Sequence, residues 1–475
     1  MEPLFPFQEI GAQWLTTKKY ALLADEMRLG KSAQSIAACN TALSLGLVTT
    51  PILVLCPAVA RLNWIREWQK FSPSEKTYFA VLRGSEIESA NGCDVVVCSY
   101  DLLLDNAVNS WMLSRDWGVL ILDEVHYLKE ARAARSKKVF GKAGLVHRAQ
   151  RVWALSGTPT PNNNAELWIL LFVFGITRLS YEDFVARYCE TVEIPIPTPR
   201  GGTLYRTAVT GGKNIRELRD LLAPHLLRRK REEVLKDLPK INVSHVAVEQ
   251  APVDIARWWK SVMLGNDTEE QIRALIQREQ AAIDALVQVG GEGSTCVDML
   301  PSMMASVKTC RRYVGLSKVP AIVAILTEEL RAKAYDKIVL FAWHRDVMVA
   351  LEEGLKEFFP LKVYGGTPPE KKDLHLRKFQ TQAKFRVFIG QIAACGTAIE
   401  LSAAHEVAFV ESSWVPSDNA QAAMRVHNIV QTQPVNVRFF GAADTSDEKI
   451  QMVLRRKTRD ILALFDTPSK ESLFS

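Results

Sequence analysis

Short apolar runs, too uniformly hydrophobic to alternate, recur through the first part of the chain. They are YALLA (20–24), PILVLC (51–56), DVVVCS (94–99), GVLILD (118–123) and RVWALS (151–156). Runs of this kind predict strands covered on both faces, as in parallel sheets. Between them lie stretches with helical spacing, SAQSIAACNTAL (32–43) and ARLNWIREWQKF (60–71), which suit the crossover helices of βαβ units. Residues 1–180 are therefore predicted to form a doubly wound parallel sheet. The rhythm returns in KIVLFA (337–342), FRVFIG (385–390), EVAFVE (406–411) and VNVRFF (435–440), which predicts a second α/β lobe over 316–475.

The middle of the chain breaks this rhythm. Residues 190–213 hold three prolines and four glycines and read as an irregular loop. Residues 214–239 and 252–287 carry helical periodicities, and VQVGGEGSTC (287–296) reads as a loop. The span 181–315 is thus expected to be helical insertions and a connector between lobes. The length of 475 residues agrees, since one compact core rarely grows so large.

Composition narrows the function classes. With 48% hydrophobic and 24% charged residues, the chain is neither disordered, collagen-like nor a coiled-coil rod. A net charge of +6 permits a nucleic-acid partner without requiring one. No apolar run approaches the roughly 18 residues that span a bilayer, and the opening MEPLFPFQEI is no secretory signal. The eight cysteines include no Cys-x-x-Cys, which suits buried free thiols in a reducing cytoplasm rather than disulfides or zinc.

Three motifs carry candidate chemistry. ADEMRLGKS (24–32) follows a strand and opens a helix, where backbone N–H groups can hold phosphates. There Gly30 lets the backbone approach, Lys31 reaches the β- and γ-phosphates, and Ser32 ligates Mg²⁺. A complete phosphate loop would need glycine where Asp25 stands, and Gly-Lys-Ser alone also occurs in chains without such a site. GVLILDEVHYLK (118–129) ends a buried strand on Asp123 and Glu124, a pair placed to hold a metal and orient water, or else a solvated acidic turn. ALSGTPTPNNNAELW (154–168) follows another strand. Its hydroxyls, Thr158 among them, suit contact with a phosphodiester backbone, or a plain turn and cap. The cationic run Arg228 to Arg231 allows phosphate contact or a solvated helix face.

Taken together, these motifs resemble the Swi/Snf-type DNA-dependent ATPases of helicase superfamily two, across most of the chain and in the family's order. LFPFQEIGAQWL (4–15) resembles the opening motif, in which Gln8 would read adenine. ILVLCPAVARLNWIREWQKF (52–71) resembles the nucleic-acid-contacting segment, with Pro57 and the Asn63-Trp64 pair at family positions. HLLRRKREEVLKDLP (225–239) resembles a segment peculiar to these ATPases. RRYVGLSKVPAIV (311–323) is similar to the start of the second lobe in the HepA-related, annealing-helicase branch. QIAACGTAIELSAA (391–404) and ESSWVPSDNAQAAMRVHNIVQ (411–431) resemble the last two motifs.

The resemblance implies two RecA-like parallel-sheet lobes with helical insertions between them, and a monomeric motor that couples hydrolysis of ATP with Mg²⁺ to movement on duplex, forked or branched DNA. It implies Lys31, Asp123, Glu124 and Arg425 as catalytic residues, and Gln8, Arg28, Gly30, Lys31 and Ser32 as nucleotide contacts. Ser32 and Asp123 would hold the metal, and Pro57, Asn63, Ser99, Thr158 and Thr397 would contact DNA. A bacterial or bacteriophage source, the cytoplasm, and a protein partner in replication or recombination are the matching expectations. The chain also departs from the family pattern. Arg28 and Ala398 stand where glycine is usual, and Asn428 replaces the second of two arginines three apart, after Arg425. Val430 stands for a further glycine. Two other readings follow: a branch-migration or unwinding helicase, and a nucleotide-gated DNA-binding protein with little hydrolysis.

Overall fold

The computed structural model describes residues 2–73, 75–160, 162–197, 203–235, 239–251, 301–395, 399–427 and 431–442. Beyond them it describes 445, 447–448, 450–452, 454–455 and 458. The chain divides into two units. One contains Met1–Glu190 and Gly212–Lys236; the other contains Thr191–Gly211 and Asp237–Asp460.

The first unit is built on a seven-stranded sheet in the order β3-β4-β2-β5-β6-β1-β9. Its strands are β1 (Tyr20–Leu23), β2 (Ile52–Cys56), β3 (Tyr78–Ala80), β4 (Val95–Ser99), β5 (Trp117–Asp123), β6 (Ala149–Leu155) and β9 (Leu226–Leu227). Every pairing is parallel. Successive side chains on a strand point to opposite faces, so an unbroken apolar run feeds two cores. Leu53, Leu55, Val96, Cys98, Leu120 and Leu122 enter one, while Ile52, Val54, Val95, Val97, Val119 and Ile121 enter the other. Helices α1 (Pro6–Thr16), α2 (Lys31–Ser44) and α3 (Arg61–Phe71) cover the second face through Leu15, Ile36, Trp64 and Trp68.

Two segments depart from the sequence expectation. Residues 214–239 are not one helical stretch: a helix at Ile215–Leu222 gives way to β9 and then to a short helix at Arg231–Val234. The cause is the edge of β1, whose amides need acceptors. Leu22 N–H donates to His225 O at 2.8 Å and Ala24 N–H to Leu227 O at 2.7 Å. Likewise 190–213 is not an irregular loop. The strands β7 (Cys189–Pro197) and β8 (Thr203–Gly212) form a two-stranded sheet of their own, where prolines are tolerated because every strand is an edge.

The second unit holds a six-stranded parallel sheet in the order β10-β15-β14-β11-β13-β12. The strands are β10 (Ile241–Ala247), β11 (Ile338–Ala342), β12 (Leu361–Val363), β13 (Val387–Gln391), β14 (Glu406–Phe409) and β15 (Val435–Gly441). The four runs expected as strands are all present. β10 lies within the span read as connector, yet it pairs with β15 along its whole length. A helix at Pro301–Arg331 packs here. From it, the fully buried Lys318 donates to Val410 O at 2.5 Å and Phe440 O at 3.1 Å, and pairs with Asp447 at 2.5 Å. Arg311 donates to Ser412 O at 2.6 Å. The RRYVGLSKVPAIV segment therefore fastens the ends of β14 and β15. Among the described residues no helix is long and apolar enough to cross a membrane.

Within β5, the backbone of Thr49 occupies the place where a Cβ on Gly118 would stand. Gly118→Ala must displace main chain rather than a side chain. It is expected to lower the unfolding free energy of the first unit by about 1–3 kcal/mol, read from the midpoint of chemical denaturation.

Candidate nucleotide site

The loop between β1 and α2 is shaped by two left-handed residues, Arg28 at φ 65° and Gly30 at φ 70°. Glycine adopts this conformation freely; a side chain there costs roughly 1–2 kcal/mol. Arg28 is solvent-exposed. A Cβ on Gly30 would strike the amide of Gln8, so glycine is needed there for approach as well as for φ. Lys31, the first residue of α2, donates from Nζ to Asp25 O at 2.8 Å and Glu26 O at 3.3 Å. A Cβ on Gly157 would lie 3.4 Å from the same Nζ, which puts the SGTP segment against the lysine. Burial lowers the Lys31 pKa, opposed by the charges of Glu124, Asp25 and Asp123 and reinforced by Arg228. Three sequence motifs separated along the chain thus converge on one ammonium group.

Asp123 ends β5 and Glu124 follows it at φ 49°, a third left-handed position. The Trp64 indole N–H donates to Asp123 Oδ2 at 2.8 Å, and the Tyr100 hydroxyl donates to the Asp123 carbonyl at 2.7 Å. Ser156 Oγ donates to Glu124 Oε2 at 3.3 Å, and His126 Nδ1 lies 3.2 Å from each of those oxygens. Burial, then the neighbouring Glu124 charge, pushes Asp123 up to about 7, against the Trp64 hydrogen bond and the Lys31 charge. Burial also opposes charge on Glu124, but the hydrogen bond and charge of His126, with Lys31 and Ser156, outweigh it and hold Glu124 at about 2.

The cationic run after β9 is neither a solvated helix face nor a free phosphate contact. Arg228 donates to Ala24 O at 3.0 Å and Gly157 O at 3.1 Å. Arg229 grips the fully buried Asp25 with two nitrogens, at 3.0 and 2.5 Å, and donates to Gln34 Oε1 at 2.7 Å and to the Phe7 carbonyl. Gln34 in turn donates to Asp25 Oδ2 at 3.0 Å. The backbone of Arg231 donates to Glu26 Oε2 at 2.9 Å. Burial brings the Arg231 guanidinium down to about 10, Glu26 opposing it and Arg28 adding to it. The segment from 225 to 235 is a strap across the loop between β1 and α2. Asp25, standing where a complete loop motif would have glycine, is the signal that could have pointed to a buried cationic partner.

The remaining expected residues fall as follows. Gln8 is buried in α1, with its amide spent on Leu29 O at 3.3 Å and on the Phe5 N–H at 3.0 Å. Pro57 is buried after β2, and Asn63 is exposed on α3. Ser99 is buried at the end of β4 and accepts from Leu102 N–H at 3.4 Å. Thr158 donates its N–H to Ser156 Oγ at 3.2 Å; its hydroxyl, like that of Thr160, is buried with no hydrogen-bond partner among the described residues. Arg425 belongs to the second unit, where its carbonyl accepts from Leu401 N–H at 2.9 Å. Thr397, Ala398, Asn428 and Val430 lie outside the described residues. No pattern in the residues foretells the Trp64 and Tyr100 contacts with Asp123.

The family model described as SNF2-related domain matches residues 7–296, more than half of the chain, and helicase conserved C-terminal domain matches 319–430. The chain belongs to the SNF2-related family. It is 27% identical over 467 residues to the SWI/SNF-related matrix-associated actin-dependent regulator of chromatin subfamily A-like protein 1 of Xenopus laevis, covering 96% of this chain and 43% of that one. It is 26% identical to the DNA annealing helicase and endonuclease ZRANB3 of Mus musculus, covering 96% and 40%. The chain therefore spans less than half the length of these SNF2 relatives. Among solved structures, the Sulfolobus solfataricus SWI2/SNF2 ATPase core in complex with dsDNA is 21% identical, with 98% of each chain covered and a TM-score of 0.44.

Two outcomes follow from the loop geometry. Arg229→Ala leaves the Asp25 carboxylate buried without its cation and is expected to cost about 3–5 kcal/mol of stability, measured by denaturation with Asp25→Ala and the double variant completing the cycle. At position 28, Arg28→Gly is expected to be more stable than Arg28→Ala by about 1 kcal/mol, the reverse of the order at a helical position. Equal stabilities would show that this φ carries no strain.

Proposed function

We propose that this SNF2-related chain is an ATP-dependent DNA translocase or remodelling motor, a DNA-dependent ATPase acting on duplex, forked or branched DNA. The observation that carries the reading is the convergence of Lys31, Asp123 and Glu124 at one end of a parallel sheet, where open α/β sheets bind ligands. Lys31 offsets negative charge on the β- and γ-phosphates, and the N-terminus of α2 faces the same groups. Glu124, held by Ser156 and His126, orients the attacking water. Arg425 supplies a cation for charge developing on the γ-phosphate.

The donor set also fits a magnesium ion. Among the described residues no group of three or more His, Cys, Asp or Glu side chains could hold a metal unaided. Magnesium needs no such cage: it takes one or two hard oxygen ligands together with substrate phosphates. The Ser32 hydroxyl and the Asp123 carboxylate would hold it. When bound, the ion neutralises charge on the phosphates being separated.

DNA enters the reading through Pro57, Asn63, Ser99, Thr158 and Thr397, in the segments that resemble the family's DNA-contacting motifs. The exposed Asn63 supports such a contact. A monomer in a bacterial or phage-infected cytoplasm, serving replication or recombination, is the corresponding biological setting.

The test is phosphate release with and without nucleic acid. Duplex DNA is expected to stimulate hydrolysis. Its half-saturating concentration should rise log-linearly with salt, because phosphate contacts release counterions. Lys31→Ala is expected to abolish hydrolysis in a folded protein. A rate indifferent to DNA would favour a nucleotide-gated binding protein, and strand separation on tailed duplexes would favour an unwinding helicase.

A further inference from the structure

Two of the DNA-facing segments carry, one residue after an expected DNA contact, a buried side chain that reaches back to Asp123. Trp64 follows Asn63 on α3, and Tyr100 follows Ser99 at the end of β4. Both are 1% exposed. Their polar atoms have a single target between them, the last residue of β5. The Trp64 indole N–H holds one carboxylate oxygen at 2.8 Å, and the Tyr100 hydroxyl holds the main-chain carbonyl at 2.7 Å. The Trp64 bond is not needed to bury an indole in this core. Trp68, one turn further along α3, is equally buried, and its indole N–H has no hydrogen-bond partner among the described residues. An indole at this face is therefore packed adequately without a hydrogen bond. The Trp64 bond is a feature of Asp123.

The two bonds restrain different parts of the same residue. Tyr100 fixes where the strand ends, and so where the left-handed Glu124 begins. Trp64 fixes the rotation of the carboxylate, leaving its second oxygen a defined direction. Partners that orient a metal-binding group are commonly worth 10–100-fold in metal affinity or activity.

We propose that Trp64 and Tyr100 are positioning residues that hold Asp123 in the orientation for binding metal with nucleotide, and that they join the DNA-facing segments to that carboxylate. The proposal rests on the motor reading above for the identity of the site. It assigns to the Asn63-Trp64 pair two separate tasks, with Asn63 outward and Trp64 inward.

The test uses the full chain and the variants Trp64→Phe and Tyr100→Phe, which keep a ring and remove one donor each. Binding of Mn²⁺ in the presence of ADP, read by electron paramagnetic resonance, requires no turnover. The half-saturating metal concentration is expected to rise about tenfold or more in Trp64→Phe and a few-fold in Tyr100→Phe. Duplex-DNA affinity without nucleotide should change less than twofold, and kcat should fall with little change in KM for ATP. An unchanged metal midpoint in the folded variants overturns the proposal, as does loss of DNA affinity with metal binding intact. Should Trp64→Phe not fold, Tyr100→Phe decides alone, since it removes only a hydroxyl. If the wild-type chain shows no DNA-stimulated hydrolysis, the motor reading falls while the metal titration still decides this one.

Discussion

A carboxylate with no exposure to water, Asp25, fixes the shape of the loop between β1 and α2, and its partner Arg229 comes from 204 residues further along the chain. The same guanidinium reaches Gln34 of α2 and the Phe7 carbonyl of α1. One cation thus gathers the first helix, the loop and the helix after it. Removing two charges from water is costly, and their attraction repays this only with good geometry and further hydrogen bonds. Here the two-nitrogen grip and the Gln34 amide supply both. The pair's main effect is positional. With Asp25 fixed, its carbonyl receives the Lys31 ammonium, and the lysine comes to lie against Gly157 and near Asp123 and Glu124.

That dependence explains what the sequence disclosed and what it hid. The central strands were legible because a run such as ILVLC is apolar on both faces, and only a covered strand suits it. The three-residue strands β3 and β12 were not, being too short for any period to show. β10 is largely exposed at a sheet edge, and its partner β15 is nearly two hundred residues away, so neither burial nor proximity marked it. Of the candidate site, Gly30-Lys31-Ser32 and Asp123-Glu124 were legible from their place at the ends of strands. Hydrogen bonds across long sequence separations, such as Trp64 to Asp123, leave no periodic trace. The run Arg228 to Arg231 misled for a related reason. Whether a cation is solvated or buried depends on a carboxylate elsewhere in the chain.

The left-handed positions Arg28 and Glu124 belong to the same pattern. Conformations that cost non-glycine residues energy persist where the surroundings over-determine them, and they gather at functional sites. Glu124 is over-determined by Tyr100 behind it and by His126 and Ser156 around its carboxylate. Arg28 is flanked instead by a strap that fixes Asp25 and Glu26 and by Gly30 packed on Gln8. An arginine at this point adds a charge at the loop's exposed tip without entering its interior.

The second unit offers a contrasting carboxylate at a strand end. Glu411, just beyond β14, is buried more deeply than Asp123 at the end of β5. It accepts the main-chain N–H groups of Trp343 at 2.9 Å and His344 at 2.8 Å, with His344 Nδ1 2.6 Å away. Burial opposes its charge, but His344 and then Arg311 outweigh that and hold it down at about 2. Asp123, whose carboxylate has one indole donor, is pushed the other way by burial and then by the second carboxylate beside it. A lone buried carboxylate surrounded by donors is already satisfied and serves as scaffold. Two carboxylates sharing one half-buried strand end repel each other until cations join them, and while Lys31 bears on both, His126 bears on Glu124 alone. The attraction for further positive charge marks the Asp123–Glu124 pair as a candidate site.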